Sequence, residues 1–201
     1  TLNLITCHLG NGCSVTAVQK GKSIDTSMGL TPLEGLVMGT RSGDFDPAIL
    51  FYLNDHGYSP AELNTLCNKK SGLLGVSGIS NDMRTLVEHA EKGDRKARLA
   101  LDIFSYRVKK YNGAYTAVHG TVDAIVFTSS IGERAAEVRG EIVSGLPQLG
   151  IAIDPEKNSA CFSKEEEIQA AGSRVKILVI PTDEEAIIAE DTYKLTQNGN
   201  E

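Results

Sequence analysis

No run of ~18 apolar residues occurs anywhere in the chain, so no segment reads as a membrane-spanning helix. No charged-then-apolar leader marks it for secretion, and the expected setting is the cytoplasm. No Cys-x-x-C pair occurs among Cys7, Cys13, Cys67 and Cys161, which sets aside zinc frameworks and favours reduced thiols in an ordinary core. No Lys/Arg-rich run is present either. With 20 Lys and Arg against 26 Asp and Glu the formal charge is −6, so nothing tracks a phosphate backbone and nucleic acid is excluded as a partner. A small phosphorylated ligand needs only a local site and stays open. Repeats and low-complexity tracts are lacking too. An initiating methionine is also missing, and the chain opens almost directly into a strand, which reads as a piece of a longer protein.

What is present is 201 residues at 41% hydrophobic content, enough for one good-sized core and, by default, one domain over 1–201. "LNLITCH", "SVTAVQ" and "SIDTS" are short apolar or alternating runs joined by tight turns, which predicts an antiparallel three-strand meander over residues 2–27. Residues 46–56 predict a helix with Asp46 as N-cap, Pro47 at the first helical position and Gly57 just past the end. Ser59 and Glu62 form a capping box for a second helix. A Gly-rich interruption, "SGLLGVSGISND", precedes a helix in "DMRTLVEHAEKG". The longest periodic segment runs from Asp94 to about His119, with Leu99, Phe104, Val108, Tyr111, Tyr115 and Val118 as its apolar face. "VDAIVFT" and "VKILVIP" then read as buried strands, each followed by a helix, in "ERAAEVRGEIVSGL" and "DEEAIIAEDTYKLT".

A doubly wound nucleotide fold alternates strand and helix from the start, whereas this chain opens on a meander and inserts helices over about 46–119. The order describes an α/β lobe of the actin-like ATPase or ribonuclease H-like type. Its mixed five-stranded sheet joins the three-strand meander to two strand-helix units. In such a lobe the first hairpin turn, here "HLGNG", offers backbone N–H groups to an anion.

On local grounds the same residues have ordinary readings. His8 ends a strand, Asn11-Gly12 is a turn pair, and Arg41 in "GTRSGD" is a solvated loop arginine. Asp44 has no role beyond turn bonding, and Asp82 at a helix start serves the helix dipole. Thr182 and Glu185 form a capping box, which leaves Glu184 without a structural task.

Five strings, "HLGNG", "DTSMGLTPLEGLVMGTRSGDFDPA", "SGISNDMR", "VDAIVFTSSIGE" and "PTDEEAIIAEDT", stand in the order and spacing of the acetate and propionate kinases. Together they cover essentially the whole chain, which resembles the carboxy-terminal half of an acetate kinase. The resemblance implies reversible phosphoryl transfer from ATP to acetate, giving ADP and acetyl phosphate, with Mg²⁺. It implies a missing amino-terminal lobe that carries further catalytic residues, and a homodimer in the full-length family. This chain would be the nucleotide-binding half, without turnover by itself. The alternatives are a propionate kinase or a non-catalytic actin-like nucleotide-binding module.

Residue by residue, the resemblance makes His8, Asn11 and Arg41 catalytic. Imidazole and amide donors fixed by a hairpin suit the oxygens of a phosphoryl group in flight, and a planar guanidinium suits bridging carboxylate and phosphoryl oxygens. It assigns nucleotide contact to His8, Gly10, Asn11, Gly12, Asp82, Met83, Arg84, Ser129, Ser130, Ile131, Gly132 and Arg134. It places a magnesium-associated carboxylate at Glu184, with Glu185 second.

Two departures from the family stand out. Ser129-Ser130 replace a Gly or Ala-Gly that tolerates positive φ and close approach of a nucleotide, and Arg134 replaces an Asn. Asn112 and His119 occupy positions of the long helix expected to be apolar, which reads as an exposed face and a weakened dimer contact.

Overall fold

The computed structural model describes residues 2–198. The opening meander forms as β1 (Asn3–Leu9), β2 (Cys13–Gln19) and β3 (Lys22–Thr26). Ile5, Cys7 and Leu9 on β1 and Cys13, Val15 and Ala17 on β2 are each 0% exposed, so the period-two pattern buries one face. Leu9 pairs with Cys13, which leaves Gly10-Asn11-Gly12 as the turn. At the other hairpin Lys20 and Gly21 both take positive φ, 54° and 76°, as a two-residue turn between twisted strands requires.

Five helices follow: α1 (Ala48–Asp55), α2 (Pro60–Lys69), α3 (Gly72–Ser77), α4 (Met83–Glu91) and α5 (Arg95–His119). The Ser59–Glu62 capping box is formed, with both reciprocal bonds in place. At α1 the cap lies one residue later than expected, on Pro47, although the Asp46 carboxylate still accepts from the Ala48 amide at 3.0 Å. The Gly-rich interruption contains α3. Its first amides, Leu73 and Leu74, donate to the Met38 and Gly39 carbonyls, a tertiary support that no local signal carries.

The apolar face of α5 differs in part from its expected membership. Phe104, Val108 and Tyr115 are buried, but Leu99 and Val118 are about half exposed. Leu99 lies five residues before Phe104, roughly 140° round the helix from it. Asn112 is 0% exposed rather than on an open surface: it faces β1 and its Oδ1 accepts from the Cys7 thiol at 3.3 Å. His119 turns the same way, its Nε2 donating to the Leu4 carbonyl at 3.1 Å. Both side chains tie α5 to the sheet, so the expected exposed face is overturned.

The second half runs β4 (Ala124–Thr128), α6 (Ser129–Arg134), α7 (Ala136–Val143), a 3-10 turn at Pro147–Leu149, α8 (Pro155–Ala160), β5 (Glu166–Glu167), β6 (Lys176–Val179) and α9 (Glu184–Asn198). The single helix expected after β4 is two. Ala135, at φ −97° and ψ 82°, breaks it. The sheet has six strands rather than five, in the order β3-β2-β1-β4-β6-β5. The extra strand, β5, is a two-residue acidic edge on β6 and lacks the apolar alternation that marks a strand in sequence.

Strands β1, β4 and β6 are parallel neighbours. Their carboxyl ends therefore lie side by side at one edge of the molecule.

Candidate active site

Three chain segments leave those carboxyl ends. His8 on β1 pairs in register with Thr128 on β4, and Phe127 pairs with Val179 on β6. The turn Gly10–Gly12, the start of α6 at Ser129 and the segment Thr182–Glu185 thus converge, as expected where parallel strands open a crevice. A Cβ on Gly10 would lie 2.8 Å from Ser129 Oγ, which measures how closely the first two approach.

Asn11 is held from three sides. Its carbonyl accepts from the Gly39 amide at 3.0 Å. Its Oδ1 accepts from Asn81 Nδ2 at 3.0 Å. A Cβ on Gly39 would sit 1.9 Å from that same oxygen, so only glycine lets the loop lie against the asparagine. Asn81 immediately precedes Asp82, the N-cap of α4, and so brings the "SNDMR" segment to the turn.

Arg41 lies across the turn: a Cβ on Gly12 would come within 3.4 Å of its Nη1. Among the described residues its guanidinium has no carboxylate partner, and its one side-chain bond is to Met38 Sδ at 3.6 Å. A cleft of about 770 Å³ opens beside it, walled by Asn11, Arg41, Thr31, Leu33, Asn68 and Lys69 among others. The cleft therefore holds an available planar cation.

The loop carrying Arg41 is closed by Asp44, which sequence reading left without a task. Asp44 accepts from the Gly35 amide at 2.7 Å, Arg107 Nη1 at 2.9 Å and Tyr111 Oη–H at 2.8 Å. Two of these donors come from α5, more than 60 residues away, so no motif could have shown the link. Burial and the Asp44 carboxylate together push the Tyr111 phenol well above its usual range, which keeps it a donor.

Asp82 and Arg84 bind each other, Arg84 Nη2 to Asp82 Oδ2 at 2.7 Å, and this bond holds the Asp82 carboxyl below its usual range. Met83 and Ile131 are core side chains, so any ligand contact from them is through backbone. Gly132 is a buried residue of α6, its carbonyl taken by Arg139. Ser130 is exposed and helical, and Arg134 lies 5.9 Å over the exposed Phe162 ring. Cys7 and Cys13 lie behind the site, and burial pushes both thiols up to about 12, so neither is a nucleophile.

Ser129 takes φ 65°, the left-handed conformation anticipated where the sequence departs from glycine. Ser130 makes no such demand. Left-handed backbone costs a non-glycine residue roughly 1–2 kcal/mol, against about 0.5–1 kcal/mol of extra chain entropy for glycine. Ser129→Gly should therefore raise stability by about 0.5–1 kcal/mol, read as a higher urea midpoint at unchanged slope. A lower midpoint would mean that the hydroxyl packed against Gly10 outweighs the strain.

The acidic end of the site differs from its sequence reading. The Thr182 amide and hydroxyl both donate to Glu133 Oε1, at 3.0 and 3.2 Å, instead of capping α9. Asp183 caps it, accepting from the Ala186 amide at 3.0 Å. Glu185 therefore has no capping task, and it stands with Glu184 on the exposed first turn. Among the described residues no three His, Cys, Asp or Glu side chains cluster as a metal cage. One or two exposed carboxylates are a donor set compatible with Mg²⁺, which keeps much of its water shell.

The chain matches the model of the Acetokinase family over residues 1–190. It belongs to the acetokinase family. It is 55% identical to an acetate kinase of Heliobacterium modesticaldum over 195 residues, 96% of this chain and 49% of that protein. A crystal structure of Porphyromonas gingivalis acetate kinase superposes with a TM-score of 0.92 at 44% identity, covering 97% of this chain and 49% of the other. A propionate kinase structure from Francisella tularensis gives a TM-score of 0.88 at 53% identity, over 94% of this chain and 48% of the other. The chain spans about half the length of these acetokinase relatives, and its actin-like α/β architecture is theirs.

Proposed function

We propose that this chain is the nucleotide-binding half of an acetate kinase, a cytoplasmic enzyme that moves a phosphoryl group reversibly between ATP and acetate. The convergence of the Gly10–Gly12 turn, the Ser129–Arg134 helix start and the Thr182–Glu185 segment on one crevice carries the reading. Phosphates of ADP or ATP lie over the backbone amides of the first two segments, with Gly10, Gly12, Ser129, Ser130 and the Ile131–Gly132 backbone in contact. Asp82, Met83, Arg84 and Arg134 flank the nucleoside. Glu184, with Glu185 beside it, would hold Mg²⁺. When bound, that ion neutralises phosphate charge.

His8 and Asn11 donate to the oxygens of the transferred group. Arg41 spans the acceptor carboxylate and the phosphoryl group with its planar fork, carried on the loop that Asp44, Arg107 and Tyr111 close. Full activity requires the other half of the relatives' length, and the complete protein works as a homodimer. Transfer to propionate is a second reading, favoured by the likeness to the Francisella propionate kinase.

Calorimetric titration of ADP and Mg²⁺ into the chain tests the core of this reading. One saturable site is expected, and its absence from the folded chain would overturn the assignment. In the protein extended to its relatives' length, Arg41→Lys should lower kcat by roughly 10²–10³ with little change in nucleotide affinity, because charge is kept and the bidentate fork is lost. Unchanged kcat would reduce Arg41 to a bystander.

A further inference from the structure

Glu133 is a buried carboxylate, 5% exposed, with no cation partner among the described residues. A buried carboxyl group keeps such a place only where hydrogen bonds replace its water. Three donors do so here. Thr182 supplies its amide and its hydroxyl to Oε1, and Ser163 supplies its hydroxyl to Oε2 at 3.2 Å. The Ser163 amide also donates to the Glu133 carbonyl at 3.2 Å, and Ser163 takes φ 48° to make both bonds.

What these bonds hold is the exit from the sheet. The last backbone bond of β6 runs from the Ile180 amide to the Phe127 carbonyl, and the next available amide, beyond Pro181, is that of Thr182. Helix α9 follows at once, and its residues 184–197 are all exposed. Within the described residues of this chain nothing buries α9, so here the tether that precedes it sets its direction. Glu133 sits on α6, in the same short helix as Ser129–Gly132, so one side chain joins the nucleotide-facing turn to the segment bearing Asp183, Glu184 and Glu185.

We propose that Glu133 is a positioning residue that couples the two segments, so that occupancy of the α6 turn orders Thr182–Glu185 and the start of α9. This rests on the nucleotide reading of the site above. The α6 turn has a separate anchor, since its Gly132 carbonyl is bonded to Arg139, and it can therefore bind ligand without the Glu133 tether. Loss of the tether should then break the communication and leave the binding.

Hydrogen exchange of the chain with and without ADP and Mg²⁺ tests this, alongside calorimetry of the same samples. In the native chain ADP should slow exchange at residues 129–134 and, by roughly tenfold, at 182–187. In Glu133→Ala, ADP should still bind and still slow 129–134, while the effect at 182–187 disappears. Glu133→Gln keeps an acceptor for Thr182 and should restore it. Thr182→Val, which removes one of the three bonds from the other end, should reduce the effect and serves if the alanine variant does not fold. Undiminished slowing at 182–187 in either Glu133→Ala or Thr182→Val, or none there in the native chain when 129–134 respond, would overturn the coupling and leave the nucleotide reading standing. Absence of ADP binding by the native chain would overturn both.

Discussion

A polypeptide of these 201 residues alone is expected to form no measurable acetyl phosphate from acetate, ATP and Mg²⁺. On the proposed reading, this chain supplies one wall of a reaction site. The carboxyl ends of β1, β4 and β6 gather the turn, the α6 start and the acidic segment, and Arg41 lies open to the cleft beside them. A site of this kind works by fixing donor and acceptor together, and correct placement is worth ~7–11 kcal/mol, whereas one electrostatic donor is worth only ~10²–10³ in rate. If the other half of the relatives' length supplies the opposing wall, as proposed, its loss costs more than the loss of any residue on this one. The chain should nevertheless bind ADP, since the amides proposed to face the phosphates are all its own. A coupled assay showing turnover near that of a full-length acetate kinase would refute the expectation. Bound ADP without turnover separates a missing wall from a misfolded chain.

Legibility in the sequence tracked the distance between partners. The meander and the Ser59–Glu62 capping box were readable because their determinants lie within a few residues: alternating burial, a turn pair, two caps three apart. The segments that meet at the carboxyl ends stood out only as strings named by the resemblance; locally His8 and Arg41 carry nothing distinctive, and their roles rest on the proposed function. Long-range partnerships were not readable. Asp44 is ordinary until Arg107 and Tyr111 reach it, and the first amides of α3 are satisfied by the distant Met38 and Gly39 carbonyls. Thr182 has the sequence of a cap, but a buried carboxylate 49 residues earlier takes its amide, and the carboxylate wins because it accepts two bonds from one residue. Asn112 and His119 broke the apolar pattern of α5 and were read outward. Inward, each meets a polar atom of β1, the Cys7 thiol and the Leu4 carbonyl, which the hydrophobic period cannot signal.

Arg139→Met should cost about 3–5 kcal/mol of stability, although Arg139 makes no salt bridge among the described residues. Its side chain is fully buried, and its guanidinium donates to Asn158 Oδ1 at 2.8 Å and to the carbonyls of Gly132, Asn158 and Cys161 at 2.9, 2.9 and 3.0 Å. Burial disfavours its charged form, and the four acceptors are what offset that cost. Replacing a buried ion pair by apolar residues is sometimes neutral because both charges leave together. Here three of the acceptors are backbone and cannot be replaced, so each is stranded at roughly 1–3 kcal/mol, partly recovered by the new methionine packing. For a chain of this size the loss corresponds to a melting shift on the order of 10 °C. Arg98 provides the contrast. It pairs with Asp102, Glu137 and Glu141 on the surfaces of α5 and α7, yet its side chain is 35% exposed and water can take over each bond. Arg98→Met should cost no more than about 1 kcal/mol. Thermal and urea unfolding of the two variants give the comparison. A larger loss at Arg98 would show that ion pairs, rather than the buried cage beneath the α6 turn, hold this half of the fold together.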